Sequence, residues 1–384
     1  MRIFLLVFDS FGIGEAPDAN KYHDEGSNTF RSVASSEYCH IPTLTRLGLT
    51  NIDGVEGDNK EYIAKIARLQ EMSNGKDSTT GHWEMAGIVT KVPFPTYPNG
   101  FSDEIINKLK KAWGVDKILC NKPYSGTEVI KDYGVQHRNE HAPIVYTSAD
   151  SVLQIACHED EFSVSELYNM SEKAREIMSG KDAISRIIAR PFVGEYPNYV
   201  RTENRKDFSL NPPKDHLFEI IQNAGKDTIS IGKIKDLFND QNIDKMYPSN
   251  GNTNEIKSLF EVQQLDFDGL CWLNFCDFDS KYGHRNDIDG YAKALTEADT
   301  ALEKFLKDMR DDDLLIITAD HGCDPATPST DHSREYVPCI MYKKGIAPAN
   351  LGTQKGFYHI GATILKELNI KSPVDTLDSK NSLL

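Results

Sequence analysis

The sequence predicts an α/β protein with a mostly parallel central sheet, and three observations lead to that fold class. Short apolar runs such as residues 314–318 alternate with helical patterns such as residues 291–309, as in α/β proteins. The runs lack the polar alternation of one-sided sheets, so they suit strands buried on both faces. At 384 residues the chain also exceeds the size that one core usually supports, which predicts a second, smaller domain.

Three largely apolar runs each lead into an aspartate. They are residues 3–8 before Asp9, 270–278 before Asp279 and 314–319 before Asp320. Because ligands of parallel sheets gather at the carboxyl ends of the strands, we expect these carboxylates to converge on one rim. Each aspartate taken alone is equally typical of a helix N-cap or a turn. A shorter β-branched segment, residues 228–231 before Lys233, predicts another strand of the same sheet, nearer an edge.

The middle of the chain is predicted to form an inserted α+β domain. It is rich in proline and aromatic residues and holds two short strand patterns and one amphipathic helix, at residues 144–147, 186–189 and 164–179. Proline breaks secondary structure and stiffens linkers, so we expect the borders at residues 93–95 and 211–213. The predicted organisation is a core of residues 1–93 and 212–384 with a cap domain of residues 94–211.

The composition argues against a nucleic-acid partner and against a membrane protein. The formal net charge is −15, from 58 acidic and 43 basic residues, which disfavours binding through phosphate contacts. The seven cysteines form no C-x-x-C pair, which is typical of buried thiols in a reducing cytosol. The apolar N-terminus leads into Asp9 without a cleavage site and reads as a strand, and no run approaches the length of a membrane span. We expect a cytoplasmic protein.

A set of aspartates and histidines predicts a metal centre. Its members are Asp9, Asp279, His284, Asp320, His321 and His332. Carboxylates mixed with imidazoles suit Mn²⁺ or Zn²⁺ better than Ca²⁺. Six ligands are too many for one tetrahedral ion but divide into two sets of three, as in two-metal sites that clamp both oxygens of a phosphoryl displacement. A histidine taken alone is more often a structural hydrogen-bonding residue.

The nucleophile for such a reaction is expected in residues 76–84, where Ser78, Thr79 and Thr80 precede a predicted helix. A metal-bound hydroxyl loses its proton readily, and a helix N-terminus favours the phosphate it acquires. The alternative is an ordinary Ser/Thr N-cap with Glu84 in a capping box.

Taken together, the motifs resemble those of bacterial phosphopentomutase, also called phosphodeoxyribomutase, of the alkaline phosphatase superfamily. The resemblance covers essentially the whole chain, and its most specific motifs are G-H-W-E and R-I-I-A-R-P. Further matching segments are M-R-I-F-L-L-V-F-D-S-F-G-I-G, N-K-P-Y-S-G-T, Y-T-S-A-D-S-V, D-F-D-S-K-Y-G-H, I-T-A-D-H-G and T-D-H-S-R-E. The D-H-G and D-H-S-R elements are shared more widely, with alkaline phosphatases and cofactor-independent phosphoglycerate mutases.

The resemblance implies an alkaline-phosphatase-like core with two Mn²⁺ ions and a phosphorylated hydroxyl between them. It implies that Asp9, Asp320 and His321 hold one ion and that Asp279, His284 and His332 hold the other. Ser78 is implied as the nucleophile, because the family residue lies four positions before the histidine of the G-H pair. This sequence departs from the family there, since serine replaces threonine, and Thr79 and Thr80 stay as alternatives.

The resemblance also implies the substrate and its binding residues. The expected reaction interconverts ribose 1-phosphate and ribose 5-phosphate, and the 2-deoxyribose equivalents, through a 1,5-bisphosphate in nucleoside salvage and catabolism. The expected substrate residues are Asp150, Arg186, Ile188, Arg201 and Lys233. The implied activator is ribose 1,5-bisphosphate or glucose 1,6-bisphosphate, the partners are small pentose phosphates, and we expect a monomer.

Overall fold

The computed structural model describes residues 1–57, 61–148 and 151–384. The chain forms two compact units, of which unit 1 comprises residues 1–92 and 212–384 and unit 2 comprises residues 93–211. In the described residues, no helix is both long enough and apolar enough to span a bilayer. The predicted fold class is confirmed: an α/β core with a mostly parallel central sheet carries a smaller inserted α+β unit.

The described residues form strands and helices throughout both units. The strands are β1 (Arg2–Phe8), β2 (Lys65–Gln70), β3 (Leu119–Pro123), β4 (Ile144–Thr147), β5 (Val152–His158), β6 (Arg186–Val193), β7 (Val200–Arg201), β8 (Lys206–Ser209), β9 (Asp227–Ile231), β10 (Lys245–Tyr247), β11 (Gly269–Phe275), β12 (Leu314–Thr318), β13 (Val337–Tyr342) and β14 (Ala349–Lys355). The α-helices are α1 (Thr29–Ala34), α2 (Pro42–Leu47), α3 (Ser78–Met85), α4 (Asp103–Trp113), α5 (Gly126–Glu140), α6 (Val164–Ile177), α7 (Leu217–Asn223), α8 (Ile234–Leu237), α9 (Asn252–Gln263), α10 (Ile288–Lys307) and α11 (Tyr358–Glu367).

Unit 1 is built on an eight-stranded sheet in the order β10-β9-β11-β1-β12-β13-β2-β14. All neighbouring pairs are parallel except the two that involve β13. Every residue of β1 is buried, because helices cover both faces of the sheet. The helices fall into two contacting groups, one of α1, α2, α9 and α10 and one of α3, α7, α8 and α11. The short strand β9 lies second from the edge, as its composition predicts.

The second apolar run, residues 270–278, ends earlier than the sequence predicts. Strand β11 stops at Phe275, and Asp279 lies in a π-helical turn, Phe278–Tyr282. The chain leaves the sheet because Asp277 is tied to Asn252: the Asp277 N–H donates to Asn252 Oδ1 (2.9 Å), and the Asn252 N–H donates to Asp277 Oδ2 (3.0 Å). Asp279 therefore reaches the rim from a turn rather than from a strand end.

Unit 2 contains a mixed six-stranded sheet formed by β3 to β8. One face packs against α4 and α6 through a core that includes Leu109, Ile155, Leu167 and Ile187. The other face packs in part against α5 through a second, smaller core. The two faces differ because side chains alternate along each strand.

Candidate functional site

Asp9 and Asp320 lie side by side at the carboxyl ends of neighbouring parallel strands. Val7 of β1 pairs with Thr318 of β12, so residues two positions further along each strand are adjacent. Both aspartates are buried, and the Ser10 N–H donates to Asp320 Oδ1 (3.1 Å). The sheet register thus brings two buried carboxylates together.

His321 and Lys233 complete this first group. His321 Nε2 lies 3.3 Å from Asp320 Oδ2 and 3.7 Å from Asp9 Oδ1. Lys233, which follows β9, places its Nζ 2.5 Å from Asp9 Oδ2 and 3.9 Å from Asp320 Oδ2. Two carboxylates therefore share one imidazole and one ammonium group.

A second group consists of Asp279, His284 and His332. The Nε2 atoms of His284 and His332 lie 3.2 Å and 3.4 Å from the Asp279 carboxylate. His284 Nδ1 donates to the Thr330 carbonyl (2.6 Å), which turns its Nε2 toward Asp279. The rings of His321 and His332 stack with centroids 3.9 Å apart. The two groups therefore adjoin.

The Ser78 hydroxyl contacts the first group. Ser78 is the first residue of α3, whose N-cap is Asp77. Ser78 Oγ lies 3.1 Å from His321 Nε2 and accepts a hydrogen bond from Lys233 Nζ (2.6 Å). The Thr80 hydroxyl instead donates to the Asp77 carbonyl (2.8 Å), and the Thr79 N–H donates to Asp77 Oδ1 (2.9 Å). The Ser78 hydroxyl thus contacts His321 and Lys233, whereas the Thr80 hydroxyl is directed to Asp77.

With only protein groups around them, several of these side chains have strongly shifted pKa values. Burial, then repulsion from Asp320, raises the pKa of Asp9. Burial lowers the pKa of His321, but the carboxylates of Asp320, Asp279 and Asp9 together outweigh it, and the pKa rises to about 10. Burial likewise opposes protonation of His284, and Asp279 raises its pKa to about 12. The imidazoles are held as cations by the carboxylates they face.

Several buried polar atoms of the two groups make no hydrogen bond within the described part of the chain. They are Asp9 Oδ1, Asp279 Oδ1, Asp320 Oδ2 and His332 Nε2. Buried polar atoms are nearly always partnered, so these atoms call for a further ligand. Three sets of donor atoms lie close enough to hold an ion: Asp9 with Asp320 and His321, Asp279 with His321 and His332, and Asp279 with His284 and Cys323. The donor set therefore fits divalent cations.

Sequence reasoning missed the residues that hold the Ser78 segment in place. His82 Nδ1 donates to the Ser78 carbonyl (2.8 Å) and also lies 3.3 Å from Asp320 Oδ2. Glu84 forms no capping box; its carboxylate accepts hydrogen bonds from the N–H groups of Met72, Ser73 and Phe357. Both residues belong to the G-H-W-E motif, and this motif is the sequence signal that could have indicated their roles.

Arg334 also holds in place the chain segment that precedes Ser78. Its guanidinium donates to the Gly75 carbonyl (2.6 Å) and pairs with Glu71, and its Nε donates to Asp18 Oδ1 (3.1 Å). Lys76, two residues before Ser78, pairs with Asp24 (3.1 Å). The chain before α3 is thus fixed by buried and half-buried ion pairs.

The expected substrate residues are divided between the units. Lys233 lies in unit 1 beside Ser78, as described above. In unit 2, Arg186 and Ile188 lie on β6, and Arg201 lies on β7, with Arg201 Nε donating to the Gly126 carbonyl (3.2 Å). Arg186 Nη1 lies 3.7 Å from Asp207 Oδ2. Asp150 lies outside the described residues.

Comparisons with known proteins give these residues a family context. The family model described as the Metalloenzyme superfamily matches residues 1–372. A phosphopentomutase of Lachnoclostridium phytofermentans is 50% identical over 377 residues, which cover 97% of this chain and 96% of that protein. A phosphopentomutase of Clostridium kluyveri is 46% identical over 384 residues, covering 99% and 98%. A solved protein structure from Pyrococcus horikoshii is similar in fold, with 15% identity and a TM-score of 0.50 over 96% of each chain.

Proposed function

This chain belongs to the phosphopentomutase family, and on that premise we propose that it interconverts α-D-ribose 1-phosphate and D-ribose 5-phosphate. The 2-deoxyribose equivalents are included, and the reaction serves nucleoside salvage and catabolism. It proceeds through a phosphorylated enzyme and a 1,5-bisphosphate intermediate. The observation that carries the proposal is the position of Ser78 Oγ, within 2.6 Å of Lys233 Nζ and 3.1 Å of His321 Nε2.

Two Mn²⁺ ions are proposed as cofactors. Asp9, Asp320 and His321 would hold one ion, and Asp279, His284 and His332 the other. The buried, unpartnered oxygen and nitrogen atoms in both groups support this assignment. When bound, the ions lower the pKa of a coordinated hydroxyl and neutralise the charge on phosphoryl oxygens.

The residues of unit 1 are proposed to act on the phosphoryl group as follows. In the first half-reaction, the bond between Ser78 Oγ and phosphorus breaks while a sugar hydroxyl oxygen bonds to phosphorus, which forms the bisphosphate. The sugar hydroxyl loses its proton and the departing Ser78 Oγ takes one up, so Ser78 is left as a free hydroxyl. Lys233 Nζ donates a hydrogen bond to Oγ and stabilises the negative charge that develops there. The dipole of α3, whose positive end lies at Ser78, favours the phosphate on Ser78 in the resting enzyme. In the second half-reaction the other phosphate returns to Ser78.

Unit 2 is proposed to bind the sugar phosphate. Arg186 and Arg201 suit this role because a guanidinium matches two phosphate oxygens at once. Ile188 offers an apolar contact, and Asp150 completes the proposed set.

The reaction is tested by product analysis. The enzyme is loaded with Mn²⁺ and activated with ribose 1,5-bisphosphate or glucose 1,6-bisphosphate. It is then expected to convert ribose 1-phosphate to ribose 5-phosphate, and phosphorus NMR monitors the conversion. Inorganic phosphate as the main product, or turnover of 3-phosphoglycerate instead, would reject the proposal.

The nucleophile is tested by intact mass after incubation with the bisphosphate. Wild type and Ser78→Thr are expected to gain one phosphoryl group, because threonine supplies the same hydroxyl. Ser78→Ala is expected to gain none. Thr79→Val, which removes a neighbouring hydroxyl at nearly constant volume, is the matched control and is expected to behave as wild type. An adduct on Ser78→Ala would move the assignment to Thr79 or Thr80.

A further inference from the structure

A cysteine thiol lies at the second group, beside the aspartate and one of the histidines. Cys323 is buried, with 1% of its surface exposed. Asp279, His284 and Cys323 each offer one ligand atom, and the three atoms lie within 4.8 Å of one another. Among the candidate ion-binding sets of the described residues, this is the one that contains sulfur. The second group therefore has a donor atom of a different chemical type within reach.

The position of Cys323 is fixed by its backbone. Gly322 and Ser333 exchange two backbone hydrogen bonds (3.1 and 2.8 Å), which hold the chain before Cys323 beside the chain that carries His332. The Cys323 N–H donates to Thr29 Oγ1 (3.0 Å). The fold thus holds the thiol beside the second group through contacts that involve no metal ligand.

A glycine allows the thiol to approach the histidine segment. Gly283 directly precedes His284, and a Cβ atom added at Gly283 would lie 3.0 Å from Cys323 Sγ and 3.1 Å from Cys323 Cβ. A larger residue at this position would push the two segments apart. The thiol donates only a long hydrogen bond, to the Asp331 carbonyl (3.5 Å). An S–H group is a weak donor, so a cation can displace this bond at little cost.

The Asp279 carboxylate supplies independent evidence for a cation at this place. The residue is 7% exposed, and its Oδ1 atom is buried without a hydrogen-bond partner in the described part of the chain. The Cys323 thiol does not satisfy this oxygen, because its proton is directed to the Asp331 carbonyl. A buried carboxylate oxygen without a donor requires a further partner. A cation would satisfy the oxygen and bring it together with the sulfur.

The two groups of the site differ in the cations that they suit. Thiolate sulfur selects Zn²⁺ and similar soft ions, whereas carboxylate oxygen suits Mn²⁺. Zn²⁺ binds cysteine sulfur, histidine nitrogen and aspartate oxygen, and the second group with Cys323 offers all three. The first group offers two carboxylates and one imidazole, with no sulfur in its set. A preference for soft cations is therefore expected at the second group alone.

We propose that Cys323 Sγ is a ligand of the cation in the second group, beside Asp279 and His284, and that it makes this group prefer Zn²⁺ to Mn²⁺. When Zn²⁺ binds, the S–H bond breaks, a bond forms between Sγ and the metal, and the proton passes to solvent without electron transfer. The inference rests on the metal centre of the proposed function and goes beyond it, because it gives the two groups unequal metal preferences.

The sulfur ligand is tested by X-ray absorption at the zinc edge on the full chain loaded with Zn²⁺. Wild type is expected to show sulfur about 2.3 Å from zinc, besides nitrogen and oxygen at about 2.0–2.2 Å. Cys323→Ser is expected to lose the sulfur and keep the lighter neighbours. Cys39→Ser is the matched control, because Cys39 is a half-buried thiol outside the candidate sets of the described residues, and its spectrum is expected to equal that of wild type.

The metal preference is tested by titrating the metal-free protein with Zn²⁺ and with Mn²⁺. Cys323→Ser is expected to raise the Kd of Zn²⁺ about tenfold or more, since loss of even an outer partner of a metal ligand costs that much. The Kd of Mn²⁺ is expected to change much less, because Mn²⁺ prefers oxygen ligands. Circular dichroism and the melting temperature establish that each variant is folded. The wild-type absorption spectrum decides whether sulfur is bound even where a variant fails to fold.

The outcomes separate this inference from the proposed reaction. Sulfur that is bound in wild type and lost in Cys323→Ser supports the inference even if the enzyme does not interconvert the sugar phosphates, a result that rejects the reaction alone. Zinc with only nitrogen and oxygen neighbours in wild type overturns the role of Cys323 and leaves the proposed function standing. Sulfur retained by a folded Cys323→Ser, or an unchanged Kd of Zn²⁺, overturns it as well. A wild type that binds no Zn²⁺ rejects both the inference and the metal centre.

Discussion

Glu84 is predicted to hold the segment before Ser78, and replacing it by glutamine tests that role. The carboxylate accepts the Ser73 N–H at Oε2 (2.5 Å), the Phe357 N–H at Oε1 (2.8 Å) and the Met72 N–H at both oxygens. In Glu84→Gln one oxygen becomes an NH₂ group, so one backbone N–H faces a second donor. A buried N–H left without an acceptor costs about 2 kcal/mol.

That loss is measurable by calorimetry. For a domain of this size, about 2 kcal/mol corresponds to a melting temperature lower by about 4–8 °C. Glu297→Gln, an exposed position on α10, is the control and is expected to change the stability by less than about 0.5 kcal/mol. Since Glu84 positions the segment that precedes Ser78, the yield of phosphoenzyme is expected to fall as well. A melting temperature equal to that of wild type would refute the reasoning.

Three further predictions follow from the buried charges. Carboxylates raise the pKa of His321 to about 10 and that of His284 to about 12, so Mn²⁺ must displace a proton from each imidazole when it binds. Calorimetry in buffers of different ionisation enthalpy should therefore show proton release at pH 8 and a Mn²⁺ affinity that rises with pH. Asp313→Ala should cost about 3–5 kcal/mol in urea unfolding, because it leaves the buried Arg2 guanidinium without its counter-charge. Lys233→Met should slow phosphoenzyme formation about tenfold or more, measured by rapid quench, because Ser78 Oγ loses a charged donor.

The sequence predicts the core strands well because the physical signal is local. Fully buried strands such as β1 and β12 are continuous apolar runs, and an aspartate directly after such a run stands at the rim of a parallel sheet. Asp9 and Asp320 lie at the rim for this reason, and they are adjacent because β1 pairs with β12. The order of the strands is set by pairing between distant segments, which no local pattern encodes.

The rest of the site depends on contacts that a linear reading cannot supply. Asp279 enters from a π-helical turn because Asp277 is tied to Asn252, a pairing between residues far apart in sequence. The roles of His82 and Glu84 depend on the segment that folds against α3. Such residues carry ordinary local patterns, and tertiary packing gives them their position.

The central claim is that six side chains hold two metal ions beside Ser78 Oγ. The most direct measurement is X-ray diffraction at the manganese absorption edge from crystals of the Mn²⁺-loaded protein. We predict two anomalous peaks about 3.5–4 Å apart, one bound by Asp9, Asp320 and His321 and the other by Asp279, His284 and His332. A single peak, or peaks remote from Ser78, would contradict the account.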